Sequence, residues 1–505
     1  MRIARPSQNS FMETFQGLDL DAHLSGACLD PWPSLQPLVD MAFQKIPAYP
    51  TYLQKMGYDG GLPGSLEAFA ALPLMTKQDY VQAYPLAARV ESGDLSTLDR
   101  LAVSSGSTGT PTFWPRSEAH EFPIAVRFEQ VFRDSFRAHE KKTLAVVCFA
   151  LGNWVGGFFT TSCCWHLARK GYPLTVATPG NNVAEILRVV RALGPAYEQV
   201  VLLGYPPFVR DVVDQGRAQG IEWGALSTRM VFAGEVFSEE WRADVVRRAG
   251  GTAPHLETAS LYGTADGGVL GNETPYSNLI RATLAKYPEA ARALFGESRL
   301  PTLVQYDPRD RYFELYEGTL VVSGANGVPL VRYHIADRGG LIPFNTMEET
   351  LQALGLWDAI RAQLGSTAPI RELPFVYVFG RADFTVSFYG ANVYPENVTV
   401  GLEHPELIGF LTGKFVLETV DEADGTPTLR VTVELREGQI PITALDERIA
   451  ERIEVELLRL NSEFAHYVPK DRQRPQVVLK SFGDSDDFPV GIKHRYTRRK
   501  KLSPP

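Results

Sequence analysis

The chain has 505 residues, of which 44% are hydrophobic and 22% charged, and a formal net charge of -9. That length fits about two to four domains with a large core, and the acidic balance disfavours nucleic acid as a partner. Four cysteines (Cys28, Cys148, Cys163, Cys164) without Cys-x-x-Cys or Cys/His metal spacing exclude a disulfide framework and read as buried reduced thiols.

The opening MRIARPSQNSFMETF lacks the apolar stretch of a signal peptide. No uninterrupted apolar run of about 18 residues occurs, so a cytoplasmic protein without a membrane partner is expected. Residues 1–100 read as helical and irregular, with Thr76 a candidate N-cap ahead of Lys77 and Asp79. Ala102 and Val103 predict a strand that breaks into SSGSTGTPT, residues 104–112. Gly106 and Gly109 let backbone amides approach a ligand closely. Successive N–H groups, with the hydroxyls of Ser104, Ser105, Ser107 and Thr108, make a concave anion site suited to a polyphosphate. No Gly-Lys-Ser/Thr is present, and Thr110 stands where a lysine would make this a nucleotide-binding P-loop. Taken alone, such a loop also serves as an ordinary surface connection.

Apolar runs of strand length at 144–149, 174–178, 200–203 and 230–233 alternate with helix-period segments at 184–193, 209–219 and 239–249. This predicts βαβ units and a mostly parallel sheet, with ligands beyond the carboxyl ends of its strands. The loops expected at Gly234-Glu235 and at Tyr262–Asp266 are then candidate site walls. NWVGGFF, residues 153–159, follows a buried strand. Trp154, Phe158 and Phe159 could face an apolar or aryl acid, or the glycine pair could serve close helix–sheet packing. His120, His139 and His166 show no partner pattern, and the lack of a Gly-x-Ser-x-Gly elbow disfavours a hydrolase. After residue 300, runs at 312–316, 319–322 and 330–333 suggest antiparallel strands, and 375–379 a further strand. Strands at 414–420, 429–435 and 476–479 around a helix at 444–464 predict a small α/β unit.

In this order the motifs resemble those of the adenylate-forming (ANL) superfamily, within it the phenylacetate–CoA ligase-like branch. SSGSTGTPT is similar to that family's phosphate loop, TASLYGTADGG (258–268) to its Tyr-Gly-x-x-Glu motif, and VRYHIADRGG (331–340) to the segment carrying a ribose-binding aspartate. GRADFTVSFYGANVYPENV (380–398) is similar to its hinge motif and PVGIKHR (489–495), more loosely, to its C-terminal lysine motif. The resemblance implies an α/β fold: a large N-terminal adenylate-forming domain of layered sheets and helices, residues 1–380, and a small mobile C-terminal α/β lid domain, 381–505, hinged at Asp383. It implies that Ser104, Ser105, Gly106, Ser107, Thr108 and Gly109 hold the β- and γ-phosphates, and that Gly234 and Glu235 lie along adenine. Tyr262 and Gly263 would flank adenine, Thr264 would donate to the α-phosphate, Asp337 would accept from the ribose hydroxyls, and Arg381 would reach the ribose or phosphate. Asp266 stands where the family usually has glutamate, the Mg²⁺ ligand, and is one methylene shorter.

Lys493 has two readings. It could bridge the carboxylate and α-phosphate oxygens during adenylation, or belong to the basic run KHRYTRRKK (493–501), with six Lys or Arg among nine residues. The implied activity is ATP- and Mg²⁺-dependent conversion of a carboxylic acid, aromatic or aryl-alkanoic, to an acyl-adenylate, then transfer to CoA with release of AMP. Two alternatives stand beside it: adenylation with another acceptor (an amine, a protein thiol, or nitrite activation for diazotisation), and a non-catalytic nucleotide-binding homologue. A homodimer is compatible with the sequence.

Overall fold

Apolar runs of strand length and amphipathic helices alternate along the middle of the chain, and in the computed structural model they build one large mixed sheet. The structure describes residues 9–25, 30–104, 112–153, 155–297, 299–381, 386–389, 391–421, 427–461, 464–465, 468–488 and 496–497. The chain divides into two compact units, one of Met1–Glu235, Val245–Arg281 and Thr302–Val378, the other of Val236–Asp244, Ala282–Pro301 and Phe379–Pro505.

In the first unit, β1 (Arg100–Ser104) and β2 (Thr112–Arg116) form an antiparallel hairpin with Ser104 opposite Thr112. Next come β3 (Thr143–Val147), β4 (Leu174–Ala177), β5 (Gln199–Gly204), β6 (Arg229–Ala233) and β7 (Thr258–Thr264), parallel in the order β4-β3-β5-β6-β7. β3 to β6 occupy the predicted runs, because a strand buried on both faces reads as continuous apolar sequence. The helices Val155–Arg169, Val183–Leu193 and Pro206–Ala218 make the crossovers. Asn182 caps the second of these by accepting from the Glu185 amide at 3.1 Å, a contact that contributes about 1 kcal/mol.

The parallel arrangement expected between residues 140 and 260 holds in this half, and the antiparallel strands expected after residue 300 extend the same sheet. β7 reverses through residues 265–267 straight into β8 (Gly268–Asn272), a turn too short for the crossover a parallel neighbour needs. β9 (Thr302–Gln305), β10 (Tyr312–Tyr316), β11 (Thr319–Gly324), β12 (Leu330–Ile342) and β13 (Phe375–Arg381) complete the sheet. Among the described residues it has eleven strands, continuing from β7 as β8-β9-β13-β12-β11-β10. The β7–β8, β8–β9, β9–β13, β11–β12 and β10–β11 ladders are antiparallel.

Two apolar clusters cover this sheet. Phe128, Phe132, Phe159, Leu167 and Val201 belong to one, and Tyr49, Tyr52, Tyr80, Trp114 and Tyr333 to the other. Thr76 is the expected N-cap, its Oγ1 accepting from the Asp79 amide at 2.9 Å. The segment before it docks on β12: the Met75 amide donates to the Arg332 carbonyl at 3.0 Å, and the His334 amide to the Met75 carbonyl at 2.9 Å. His166 lacks a partner pattern in sequence, yet its Nε2 lies 2.9 Å from Oε2 of Glu121, a buried pair 45 residues apart.

In the second unit, β14 (Val386–Phe388) and β15 (Ala391–Val393) form a hairpin. β16 (Leu411–Asp421), β17 (Pro427–Leu435) and β18 (Gln476–Lys480) form a sheet, antiparallel between the first two and parallel between the last two. The helix Leu445–Leu460 lays Leu445, Ile449, Ile453 and Leu457, four residues apart, into this unit's core. Arg299 is sandwiched between the rings of Phe379 and Tyr394 and donates to Glu396 at 2.9 Å. No described helix is long and apolar enough to cross a membrane.

Candidate active site

The carboxyl ends of β5, β6 and β7 bring polar groups to one edge of the sheet. β6 runs into Gly234, whose φ of +96° a side chain would resist, and Glu235 follows. Tyr205, directly after β5, donates its hydroxyl to Oε1 of Glu235 at 2.9 Å. Tyr262 to Thr264 continue β7 rather than forming the expected loop, and only residues 265–267 turn. The Thr264 hydroxyl oxygen accepts from the Gly267 amide at 2.9 Å and closes that turn.

Two phenol–carboxylate bonds link this edge to β12. Tyr262 donates to Oδ2 of Asp337 at 2.7 Å, and Tyr333 to Oδ2 of Asp266 at 2.5 Å. Tyr262 and Asp337 are 9% and 7% exposed, so the first bond is screened from water. Burial, with the Asp337 carboxylate adding to it, holds the Tyr262 phenol well above its ordinary pKa, which keeps it a donor.

A bulge in β12 supplies Asp337. Thr319 pairs with Arg338 and Val321 with His334, so one residue of β11, Leu320, lies opposite three of β12, 335–337, two more than a regular ladder holds. Ala336, immediately before Asp337, takes a φ of +64° to allow this. Arg332 reaches Glu314 at 3.1 Å and the carbonyls of Ala70 and Leu72.

Of the other sequence-predicted residues, Gly263 is exposed beside Thr264. Phe159 is buried in the core under the Arg116 guanidinium, and Phe158 is partly buried under Arg100. A Cβ on Gly157 would stand 2.2 Å from the Ala150 carbonyl oxygen, so the glycine permits close packing there. Ser104 ends β1 and Arg381 ends β13, with only their backbone described. Ser105, Gly106, Ser107, Thr108, Gly109, Trp154, Asp383 and Lys493 lie outside the described residues.

Sequence reasoning missed Tyr205, Tyr333, Arg116 and Arg311. Tyr333 lies inside the quoted 331–340 segment and was open to notice; the arginines bond backbone carbonyls, which leave no residue-type signal. His23, Asp307 and Asp310 bring three ligand-type atoms within 4.8 Å. Arg309 donates to both Asp307 oxygens, at 2.9 and 2.6 Å, which makes this an ion-pair network. Cys163 and Cys164 are fully buried, and burial pushes both thiols up, away from nucleophilic character.

No family model matches this sequence, and no curated protein matches it. The fold is nonetheless shared with solved acid–CoA ligase structures. A similar solved structure is 2-hydroxyisobutyryl-CoA ligase in the postadenylation state in complex with R3-HIB-AMP: 15% identity over 93% of this chain and 89% of that chain, TM-score 0.64. The same ligase with 2-HIB-AMP and CoA in the thioesterification state matches at 15% identity over 99% and 94% of the two chains, TM-score 0.51.

Proposed function

We propose that the protein activates a carboxylic acid with MgATP as an acyl-adenylate and then transfers the acyl group to CoA, releasing AMP. The observation that carries this reading is the convergence of Tyr262–Asp337 and Tyr333–Asp266 at the carboxyl edge of β7, where Arg116 at the end of β2 bonds the intervening turn. The ligase complexes with an acyl-AMP and with CoA support the same reaction. An aromatic or aryl-alkanoic acid is the favoured substrate, on the motif resemblance.

In the first step the substrate carboxylate attacks the α-phosphorus and pyrophosphate leaves, so the protein's work is positioning and charge stabilisation. The Asp337 carboxylate, aimed by Tyr262, accepts from the ribose hydroxyls. Residues 104–109 donate to the β- and γ-phosphates, and the Thr264 hydroxyl, its oxygen already fixed by Gly267, donates to the α-phosphate. The Asp266 carboxylate offers the hard oxygen that Mg²⁺ prefers and is partly exposed at the turn, so it fits the ion that accompanies ATP. Gly234 and Glu235 line the adenine side. Lys493 neutralises charge between carboxylate and α-phosphate. In the second step the CoA thiol attacks the acyl carbonyl and AMP departs, with residues from 381 acting as a lid hinged at Asp383 and Arg381 on the nucleotide.

The test is pyrophosphate release with MgATP against aryl, fatty and inorganic acids, with and without CoA. Acid-dependent release with a CoA thioester among the products is expected. Release without thioester would reassign the acceptor, and ATP binding without release for any acid would refute catalysis.

A further inference from the structure

Two guanidiniums are buried behind the turn that carries Asp266. Arg116, at the end of β2, is 1% exposed and Arg311 2%. Arg116 donates to the carbonyls of Ala265 at 3.1 Å and Asp266 at 3.0 Å, and to Oδ1 of Asn326 at 2.5 Å. Arg311 donates to the next carbonyl, Gly267, at 3.2 Å, to the same Asn326 oxygen at 3.3 Å and to the Asp310 carbonyl at 2.7 Å. All three residues of the turn are therefore held by their backbone oxygens from one side. The Phe159 ring closes over Arg116 at 4.9 Å.

Burying two cations on neutral acceptors is unfavourable by itself, since a buried charge is ordinarily paired with its opposite. Among the described residues neither guanidinium makes an ion pair, and Nε of each is buried without a hydrogen-bond partner. Burial lowers both pKa values, Arg116 to about 9 with the Arg311 charge adding to the effect, and Arg311 to about 10. A fold under selection for stability alone would gain by replacing such a pair with apolar side chains. What the pair supplies is a rigid link between the end of β2 and the turn that presents Asp266.

We propose that Arg116, supported by Arg311, is a positioning residue that ties the Asp266 turn to the end of β2, so that the Asp266 carboxylate is presented to Mg²⁺ in one orientation. This rests on the MgATP reading above. The planar fork is needed because three acceptors are engaged at once; a lysine keeps the charge but not that arrangement.

The experiment is Arg116→Lys in the full chain. Amide hydrogen exchange over 264–268 is followed with no nucleotide present, and the Mg²⁺ half-saturation of ATP binding and of pyrophosphate release is compared with the KM for the acid. Faster exchange confined to the turn is expected, with Mg²⁺ half-saturation raised about 10–100-fold, the usual effect of losing a support behind a metal ligand, and an unchanged acid KM. Arg311→Lys, which loosens the turn at Gly267 alone, should move the same quantities less, and it carries the test should Arg116→Lys not fold. Unchanged exchange, or an equal loss in every parameter in proportion to the folded fraction, would overturn the proposal. If the wild type releases no pyrophosphate with any acid, the proposed reaction fails on its own. Exchange at 264–268 and Mg²⁺-dependent ATP binding would still decide the role of Arg116.

Discussion

Replacing Asp337 by asparagine removes a charge while keeping the local structure, which makes it the sharpest test of the nucleotide site. The carboxylate is 7% exposed, and its Oδ2 accepts from Tyr262 at 2.7 Å. Asparagine leaves an acceptor for that phenol, so the packing of β7 against the β12 bulge is expected to survive. What is lost, on the proposed function, is the anionic acceptor for the ribose hydroxyls. Hydrogen bonds to charged groups contribute about 1.5–3 kcal/mol, and 1.4 kcal/mol is about a tenfold change. ATP should therefore bind about 10–150-fold more weakly to Asp337→Asn, measured by calorimetry and by the KM for ATP in pyrophosphate release. The decisive comparison uses 2′-deoxyATP, which lacks one of the hydroxyls. Wild type should discriminate against it, and the variant should do so much less, because the group that reads the hydroxyl is gone. Equal ATP affinity in the two proteins, or full discrimination retained in the variant, would refute the ribose assignment.

Further outcomes follow from other contacts. Tyr333→Phe removes the donor to Asp266 Oδ2 and should raise the Mg²⁺ half-saturation of pyrophosphate release about tenfold or more; an unmoved Mg²⁺ titration would take Asp266 away from the metal. Ala336→Gly relieves a non-glycine residue at φ +64° and should raise the unfolding free energy by up to about 1 kcal/mol, whereas Ala336→Val should lower it; a urea titration reads both, and the reverse order would contradict the bulge geometry. His120 accepts the Ser117 amide on Nδ1 at 3.0 Å, and burial, with Arg116 and Arg311 nearby, pushes its pKa down from 6.5 to about 4. The unfolded chain takes up that proton first, so this site's contribution to stability is complete above pH 6.5 and is lost as the pH falls toward 4. His120→Gln should flatten that part of the curve of unfolding midpoint against pH, and an unaltered slope would assign the acid sensitivity elsewhere.

The parallel half of the sheet was legible because strands buried on both faces read as uninterrupted apolar runs, as at Met230–Phe232 of β6. The helix Leu445–Leu460 was equally plain from its four-residue spacing of apolar side chains. The antiparallel return of β7 into β8 was not: Ala265-Asp266-Gly267 suits a loop of any length, and nothing in those residues says that Tyr262 to Thr264 remain in the ladder. Asp337 was found through its motif, but its bond to Tyr262, 75 residues away, was not. Arg116 was invisible for a different reason. Its partners are carbonyl oxygens 149 and 150 residues along, and every residue type carries one.

The bulge in β12 has a consequence for how this segment can be altered. One residue of β11 lies opposite three of β12 there, so the insertion is two residues, an even number, and strand side chains alternate with a period of two. The residues beyond the bulge keep the sidedness they would have had in a flat ladder. Excising two of 335–337 would therefore erase the aspartate's perch yet leave Arg338 through Ile342 facing as they do now. Removing one residue would turn that whole stretch inside out. Length changes in this segment are thus quantised in pairs, and a carboxylate can be gained or lost here without rebuilding the strand that follows.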